Sequence, residues 1–149
     1  MAIEALDAIL DANKGGVWFV PNIDARSVQA SAKKAGFAYF HIDGKNITRK
    51  EQLLNAVALA LHFPKSFGHN WDALEECLVD LDMESDGFVI LYDHIDGLLG
   101  AHPDQFETLV ELLRDAVGSW KEDGTPMAVL LSGAKGPKGV GKLKETAEE

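Results

Sequence analysis

The chain has 149 residues, of which 46% are hydrophobic and 26% are charged, and its formal net charge is −10. This length and mix are typical of one globular domain that buries a core without disulfides or a structural metal. The single cysteine, Cys77, excludes a disulfide framework and a cysteine-rich zinc site. The longest apolar run, residues 56–61, is too short to cross a bilayer, and no secretory pattern opens the chain. We therefore expect a cytoplasmic protein.

The negative charge is concentrated in one part of the chain. Residues 66–123 contain fifteen Asp and Glu against two Lys and Arg, a net charge of −13. A nucleic-acid-binding protein would show the opposite sign, since phosphates require Lys and Arg, and an anionic membrane surface is disfavoured for the same reason. The charge therefore favours a basic partner, with simple solubility as the alternative explanation.

Helix and strand patterns alternate along the chain. Hydrophobic periodicity and turn residues predict helices at 3–12, 25–35, 48–61, 71–81 and 103–120, and strands at 17–20, 37–42, 88–92 and 127–131. Thr48 and Glu51 have the spacing of a capping box for the third helix. Strands separated by helices predict right-handed crossovers and a parallel sheet, so we expect an α/β protein with three strands or four. Residues 133–149 lack an apolar face and are expected to form a flexible tail.

Patterns that often carry catalysis or cofactor binding are incomplete here. Residues 136–142 match the first seven positions of a phosphate-binding loop, but Leu143 stands where Ser or Thr would hold magnesium. The five histidines lack the spacings of helical zinc motifs, and no serine lies in a hydrolase-type elbow. We therefore expect no enzymatic activity, no cofactor and no metal.

The segment 64–81 predicts a helix with two different faces. One face is apolar and is expected to pack on the sheet: Trp71, Leu74, Leu78 and Leu81. The other face is acidic, with side chains four residues apart and a fourth carboxylate beside them: Asp72, Glu76, Asp80 and Glu75. Like charges at this spacing destabilise an isolated helix, by a few tenths of a kcal/mol per pair. No Lys or Arg lies between Phe67 and Asp86, so the row is either a solvated face or a set of anions for a cationic pocket.

The loop and helix also carry a specific string of residues. The string is Phe63-Pro64, then Phe67-Gly68-x-Asn70-x-Asp72-Ala73-Leu74-x-x-Cys77-Leu78. With residues 41–44, 114–116 and 129–132, it resembles the barstar family of ribonuclease inhibitors over about residues 37–132. Residues 1–36 would then be a helix–strand–helix extension packed on the core, and residues 133–149 a tail.

The resemblance implies an intracellular immunity protein that inhibits a basic, extracellular-type ribonuclease or a related toxin domain. In the family, the loop and helix corresponding to residues 64–81 enter the ribonuclease active site, where carboxylates take the place of RNA phosphates. By position, Asp72 and Glu76 are the central anions and Asn70 caps the helix. The resemblance also implies partner contacts for Phe67, Gly68 and Asp115. The acidic row adds Glu75 and Asp80 to the expected partner-binding residues.

Several positions depart from the family archetype. A longer Glu76 replaces Asp, Ser66 replaces an aromatic residue, Glu75 and Leu81 replace tryptophans, and Asp80 replaces glycine. Aromatic residues are typical interface anchors, so these departures leave open an interaction or regulatory module of the same fold, with a basic partner that is not a nuclease. A further alternative is an enzyme that binds a divalent metal through Asp72, Glu76 and Asp93 for phosphoryl chemistry, since oxygen-rich clusters suit magnesium.

Overall fold

A computed structural model describes residues 4–81 and 85–143. The elements in chain order are α1 (Glu4–Asp11), β1 (Gly16–Pro21), α2 (Ala25–Ala35), β2 (Ala38–Asp43), α3 (Lys50–Ala60), α4 (Trp71–Leu78), β3 (Phe88–Asp93), α5 (Asp96–Ala101), α6 (Pro103–Glu122) and β4 (Met127–Gly133). The four strands form one parallel sheet in the order β1-β4-β3-β2. The predicted α/β fold is confirmed, and the fourth strand comes from the first 36 residues.

The direction of the chain connections explains how the helices are distributed over the sheet. From β2 to β3 to β4 the chain steps across the sheet in one direction, whereas the step from β1 to β2 runs in the other. Right-handed crossovers therefore place α2 on the opposite face from α3, α4 and α6. The buried residues divide in this way. Leu6 and Val28 belong to the cluster on what we call the α1/α2 face, and Leu74 and Leu113 belong to the cluster on the α4/α6 face.

The strand residues alternate between the two faces. Val89 and Leu91 contribute to the α1/α2 face, whereas Ile90 and Tyr92 contribute to the α4/α6 face. Every residue of β3 and β4 is buried, as expected for central strands of a parallel sheet that is covered on both sides. The core therefore lies in two layers, and each layer holds its own helices.

Helix α3 begins one residue later than its sequence motif predicts. Arg49 is the N-cap, and the Gln52 side-chain oxygen accepts hydrogen bonds from the backbone N–H groups of Thr48 and Arg49, at 2.8 and 3.1 Å. The predicted pairing of Thr48 with Glu51 is therefore wrong by one position. Gln52 takes the place of Glu51 in the capping box, because its amide oxygen can accept the same hydrogen bonds as a carboxylate.

Two other helices differ from the sequence-based boundaries. Helix α4 ends at Leu78 rather than near Leu81, and the backbone N–H of Asp80 donates to the Cys77 carbonyl in a tight closing turn. Asp80 would lie in the last turn of a helix that ran to Leu81, where its negative charge opposes the helix dipole. This gives a physical reason for the early end. Helix α5 was not predicted, because two glycines in six residues lower its helix propensity.

The C-terminal segment follows a defined path as far as Leu143, in contrast to the tail expected over residues 133–149. The backbone N–H of Phe19 donates to the Gly141 carbonyl, and the N–H of Leu143 donates to the Phe19 carbonyl, both at 2.9 Å. Leu143 is buried and supplies an apolar contact that composition did not indicate. Residues 134–143 contain no helix, so the helix that a phosphate-binding loop requires does not follow β4 there. Residues 144–149 lie outside the described residues.

The helices of the described residues range from short to long. Helix α6 is the longest, with 20 residues. None of the helices within residues 4–81 and 85–143 is both long and apolar enough to span a membrane.

Candidate functional site

The loop between α3 and α4 is held against the core by aromatic contacts. Phe67 is only 6% exposed, and its ring centroid lies 5.2 Å from that of Phe63 and 4.8 Å from that of His69. The backbone of His69 is left-handed, with φ of 54°, and its Nδ1 donates to the Phe67 carbonyl at 2.9 Å. The side chain expected to be an apolar partner contact therefore presents almost no surface. In this structure Phe67 anchors the loop instead.

The start of α4 is fixed by a side-chain cap. Asn70 has extended backbone angles, and its Oδ1 accepts from the backbone N–H of Ala73 at 2.8 Å. Its Nδ2 donates to the Gly68 carbonyl at 3.3 Å. A Cβ at Gly68 would lie 3.3 Å from that Nδ2, so glycine leaves room for the capping amide. The cap places the exposed Asp72 in the first turn, where the helix dipole favours a negative charge.

We expect Asn70→Ala to lower the free energy of unfolding by about 1 kcal/mol, because Ala cannot accept the bond from the Ala73 N–H. Urea unfolding measures the change. Asn70→Asp should keep the cap and most of the stability. Asn55→Ala is the matched control, since Asn55 is an exposed residue inside α3. Equal losses for Asn70→Ala and Asn55→Ala would contradict the role of the cap.

Four carboxylates project from α4 into solvent. We call Asp72, Glu75, Glu76 and Asp80, all exposed, the acidic α4 face. Among residues 4–81 and 85–143, no Lys, Arg or His nitrogen lies within 4.0 Å of their oxygens. The opposite side of the helix is packed, with Leu74 and Leu78 at 0% and 1% exposure. The negative charges are therefore presented outward on a rigid base and are not neutralised by the described part of the chain.

Neighbouring side chains frame this surface. Lys50 Nζ lies 5.5 Å from the centroid of the Trp71 ring, a cation–π contact at the start of α4. At the other end, Trp120 Nε1 donates to the Leu78 carbonyl at 2.8 Å and ties α6 to α4. Asp115 is exposed on α6, and no basic nitrogen of the described residues lies within salt-bridge distance of it.

A groove of about 380 Å³ runs beside the acidic α4 face. Its lining combines apolar side chains and carboxylates: Leu61, His62, Phe63, Pro64, Glu76, Cys77, Asp80 and Leu81. Long cationic side chains have an apolar stem and a charged head. The apolar part of the groove could therefore contact the stem of a Lys or Arg side chain, and Glu76 and Asp80 could pair with its charged head.

The negative charges of this surface affect the pKa of the Cys77 thiol. Burial raises the pKa of Cys77 above its usual value, and the charges of Glu76 and Asp80 raise it further. The thiolate is the reactive form, so we expect Cys77 to react with a disulfide reagent at pH 8 more slowly than a free thiol does. Glu76→Gln with Asp80→Asn should move the pH profile of this reaction to lower pH. A profile that stays where it is in wild type would contradict the electrostatic contribution.

The family comparison decides what kind of domain presents this surface. The family model Barstar, described as barstar (barnase inhibitor), matches residues 37–132. The chain belongs to the barstar family. The matched region includes the capped loop, the acidic α4 face and Asp115 on α6. Strand β1 and helices α1 and α2 precede the barstar match, and they complete the sheet and cover one of its faces.

Other comparisons add information about the fold only. No curated protein matches the chain. A solved structure titled "Structure of the Aeropyrum Pernix ORC2 protein (ADPNP-ADP complexes)" is similar, with a TM-score of 0.60 and 15% sequence identity. The match covers 89% of this chain and 40% of the ORC2 chain, so this barstar-family chain spans less than half of that protein. At this identity the likeness concerns the arrangement of helices and strands.

A second polar cluster lies outside the barstar-type acidic surface, at the carboxyl ends of β2 and β3. It consists of His41, Asp43, Asp93 and His94. By strand alternation Asp93 points toward the α1/α2 face, as Leu91 does, whereas α4 lies on the other side of the sheet. Asp72, Glu76 and Asp93 therefore do not form the metal site considered as an alternative. Burial, together with the charges of Asp93 and Asp24, raises the pKa of the neighbouring Tyr39 to about 12.

This cluster is not apparent from residue spacing. The histidines show no metal-binding spacing along the chain, and Asp43 and Asp93 are fifty positions apart. They become neighbours because the two strands pair in register, Asp43 beside Asp93. The available signal was that the predicted strands 37–42 and 88–92 are each followed directly by an aspartate, since the carboxyl ends of parallel strands meet at one edge of the sheet.

Proposed function

We propose that the chain inhibits a basic ribonuclease by inserting the acidic α4 face and the preceding loop into its active site. The carboxylates would occupy the positions of RNA phosphates. The observation that supports this most strongly is that the acidic α4 face of a barstar-family domain is exposed and has no ion pair with residues 4–81 or 85–143. The chain itself would carry out no catalysis.

The electrostatics of the surface support the proposal. Opposite charges ~4 Å apart interact by about 4 kcal/mol at an effective dielectric constant of ~20. Arg–carboxylate pairs are also bidentate and directional, which favours one docked orientation. Lys50, at the start of α4, contacts the Trp71 ring rather than a carboxylate. The partner's cations would therefore not have to displace an ion pair within the described part of the chain.

The rigidity of α4 supports it as well. The helix is capped by Asn70, packed through Leu74 and Leu78, and tied to α6 by the Trp120 indole. A surface that is already ordered before binding loses less conformational entropy on association. The groove beside Glu76 and Asp80 would accept one Arg or Lys of the partner at the edge of the contact.

The proposed partner is a small basic ribonuclease of the extracellular type, or a related toxin domain. The producing cell would need to neutralise such an enzyme before export, so the proposed place of action is the cytoplasm. The second candidate is a basic partner that is not a nuclease. Glu75, Asp80 and Leu81 favour it, because they make the surface more acidic and less aromatic than the family archetype.

The decisive experiment mixes the purified chain with a panel of barnase-like ribonucleases and follows RNA cleavage. We expect cleavage by one of them to fall to near zero at a 1:1 ratio (about one inhibitor per active site, because the charge pairs are desolvated). Association should slow as salt rises, because exposed charges are screened over ~10 Å at 0.1 M salt. Undiminished cleavage across the panel, with recovery of a basic non-nuclease in a pull-down, would replace this proposal by the second candidate.

A further inference from the structure

Three side chains at the carboxyl edge of the sheet converge on one point. Asp43 and Asp93 end β2 and β3 and are register partners, and His94 follows directly. His94 Nδ1 lies 3.0 Å from Asp93 Oδ1 and 3.3 Å from Asp43 Oδ1. One ligand atom from each of the three lies within 4.8 Å of the others. Within residues 4–81 and 85–143, no other three such side chains meet this condition.

The spacing fits a coordination shell. Zinc binds histidine nitrogen and carboxylate oxygen at about 2.0–2.2 Å, so adjacent ligands around one tetrahedral ion lie roughly 3.3–3.6 Å apart. The distance of 3.3 Å from His94 Nδ1 to Asp43 Oδ1 falls in that interval, and the distance of 3.0 Å to Asp93 Oδ1 is slightly shorter. Three protein ligands with a fourth position left to solvent is a common zinc arrangement.

The cluster also contains groups that orient the ligands. His41 Nε2 lies 2.9 Å from Asp93 Oδ2, the oxygen that is not directed at His94. The backbone N–H of Lys45 donates to Asp43 Oδ1 at 3.0 Å. Metal-ligating carboxylates are usually hydrogen-bonded in this way by outer groups that fix their direction. The cluster is thus a mixed nitrogen and oxygen set with an outer histidine, rather than a group of acids alone.

The basic groups beside the two carboxylates of the cluster are histidines. Two carboxylates share one edge of the sheet, and the Asp93 side chain is only 12% exposed. In the described part of the chain no Lys or Arg lies within 4.0 Å of either carboxylate. Imidazole nitrogen favours first-row transition ions, whereas magnesium and calcium prefer oxygen alone. The donor set therefore selects the first class of ion.

We infer that Asp43, Asp93 and His94 bind one divalent transition ion such as Zn²⁺, with His41 as a positioning residue for Asp93. The site lies at the carboxyl ends of β2 and β3, toward the α1/α2 face, whereas the acidic α4 face belongs to the other side of the sheet. The inference is therefore independent of the proposed ribonuclease inhibition.

Calorimetric titration of the full chain, purified without a histidine tag and freed of metal by a chelator, tests the inference. We expect one Zn²⁺ per chain, and visible d–d absorption when Co²⁺ is the probe. His94→Asn should weaken Zn²⁺ binding at least tenfold, and His41→Gln by about 10- to 100-fold. His62→Asn is the matched control, because His62 is also exposed and left-handed, with φ of 59° against 53° for His94.

Folding of the variants is checked by thermal melting without metal, which should match wild type. Asp43→Asn is a second variant, since its side chain is 59% exposed. Equal Zn²⁺ affinity of wild type and His94→Asn, or no Zn²⁺ binding, would overturn the site and leave His94 as a proton bridge between two carboxylates. If Mg²⁺ raised the melting temperature as much as Zn²⁺ does, the choice of a transition ion would be overturned. Asp72→Asn with Glu76→Gln should bind Zn²⁺ as wild type does.

Discussion

Changing Asp72 to Asn and Glu76 to Gln in one variant should abolish inhibition of the ribonuclease that the wild-type chain inhibits. The amides keep the size of the side chains and remove their charge. Each lost charge pair is worth up to about 4 kcal/mol at ~4 Å, or roughly a thousandfold in Kd. Both residues are exposed and unpaired among the described residues, so the fold should be unaffected. Titration of RNA cleavage measures the inhibition constant, and urea unfolding measures the stability.

The matched control removes two negative charges elsewhere. Glu4 and Asp11 are exposed on α1, which packs on the opposite face of the sheet. Glu4→Gln with Asp11→Asn changes the net charge by the same amount, so only long-range attraction should weaken, within a few-fold. If the Asp72 and Glu76 variant inhibits as well as this control, the acidic α4 face is not what enters the ribonuclease.

Leu74→Ala should lower the free energy of unfolding by about 2–5 kcal/mol. Leu74 is fully buried and attaches the acidic helix to the sheet. It borders an apolar cavity of about 20 Å³, so truncation would enlarge an existing void. Neighbouring side chains such as Leu53 and Tyr92 already line that space. The midpoint and slope of urea unfolding give the change.

Leu59→Ala is the control for this loss. Leu59→Ala removes the same atoms from another helix, α3, but the Leu59 side chain is 79% exposed. Surface substitutions of this kind usually change stability by no more than about 0.5 kcal/mol. Similar losses at the two leucines would contradict the packing of α4 on the sheet. When folded, the Leu74 variant should still inhibit far better than the variant lacking the two charges.

The parallel sheet and the acidic α4 face could be predicted from the sequence. Residues 88–92 and 127–131 are uninterrupted apolar runs, which is the pattern of buried parallel strands, and both became central strands. The two faces of α4 followed from residue spacing alone, since Leu74 and Leu78 are buried and Asp72 is exposed. Local periodicity determines which side of a helix is apolar, so these features needed no tertiary information.

Other features depend on tertiary contacts that spacing does not show. The burial of Phe67 arises from its packing against Phe63 and His69 in a loop with a left-handed residue. The path of the C-terminal segment depends on backbone bonds to Phe19. The convergence of Asp43 with Asp93 depends on strand register. Sequence periodicity describes one element at a time, whereas each of these features joins two.

The course of residues 134–143 has a consequence for self-association. Strand β1 lies at an edge of the sheet, where free backbone groups can template intermolecular strand pairing and aggregation. Both backbone groups of Phe19 on that open side are engaged, by Gly141 and Leu143, and Pro21 has no N–H to offer. The C-terminal segment thus shields the middle of this edge, and we expect it to oppose edge-to-edge pairing of two copies through β1.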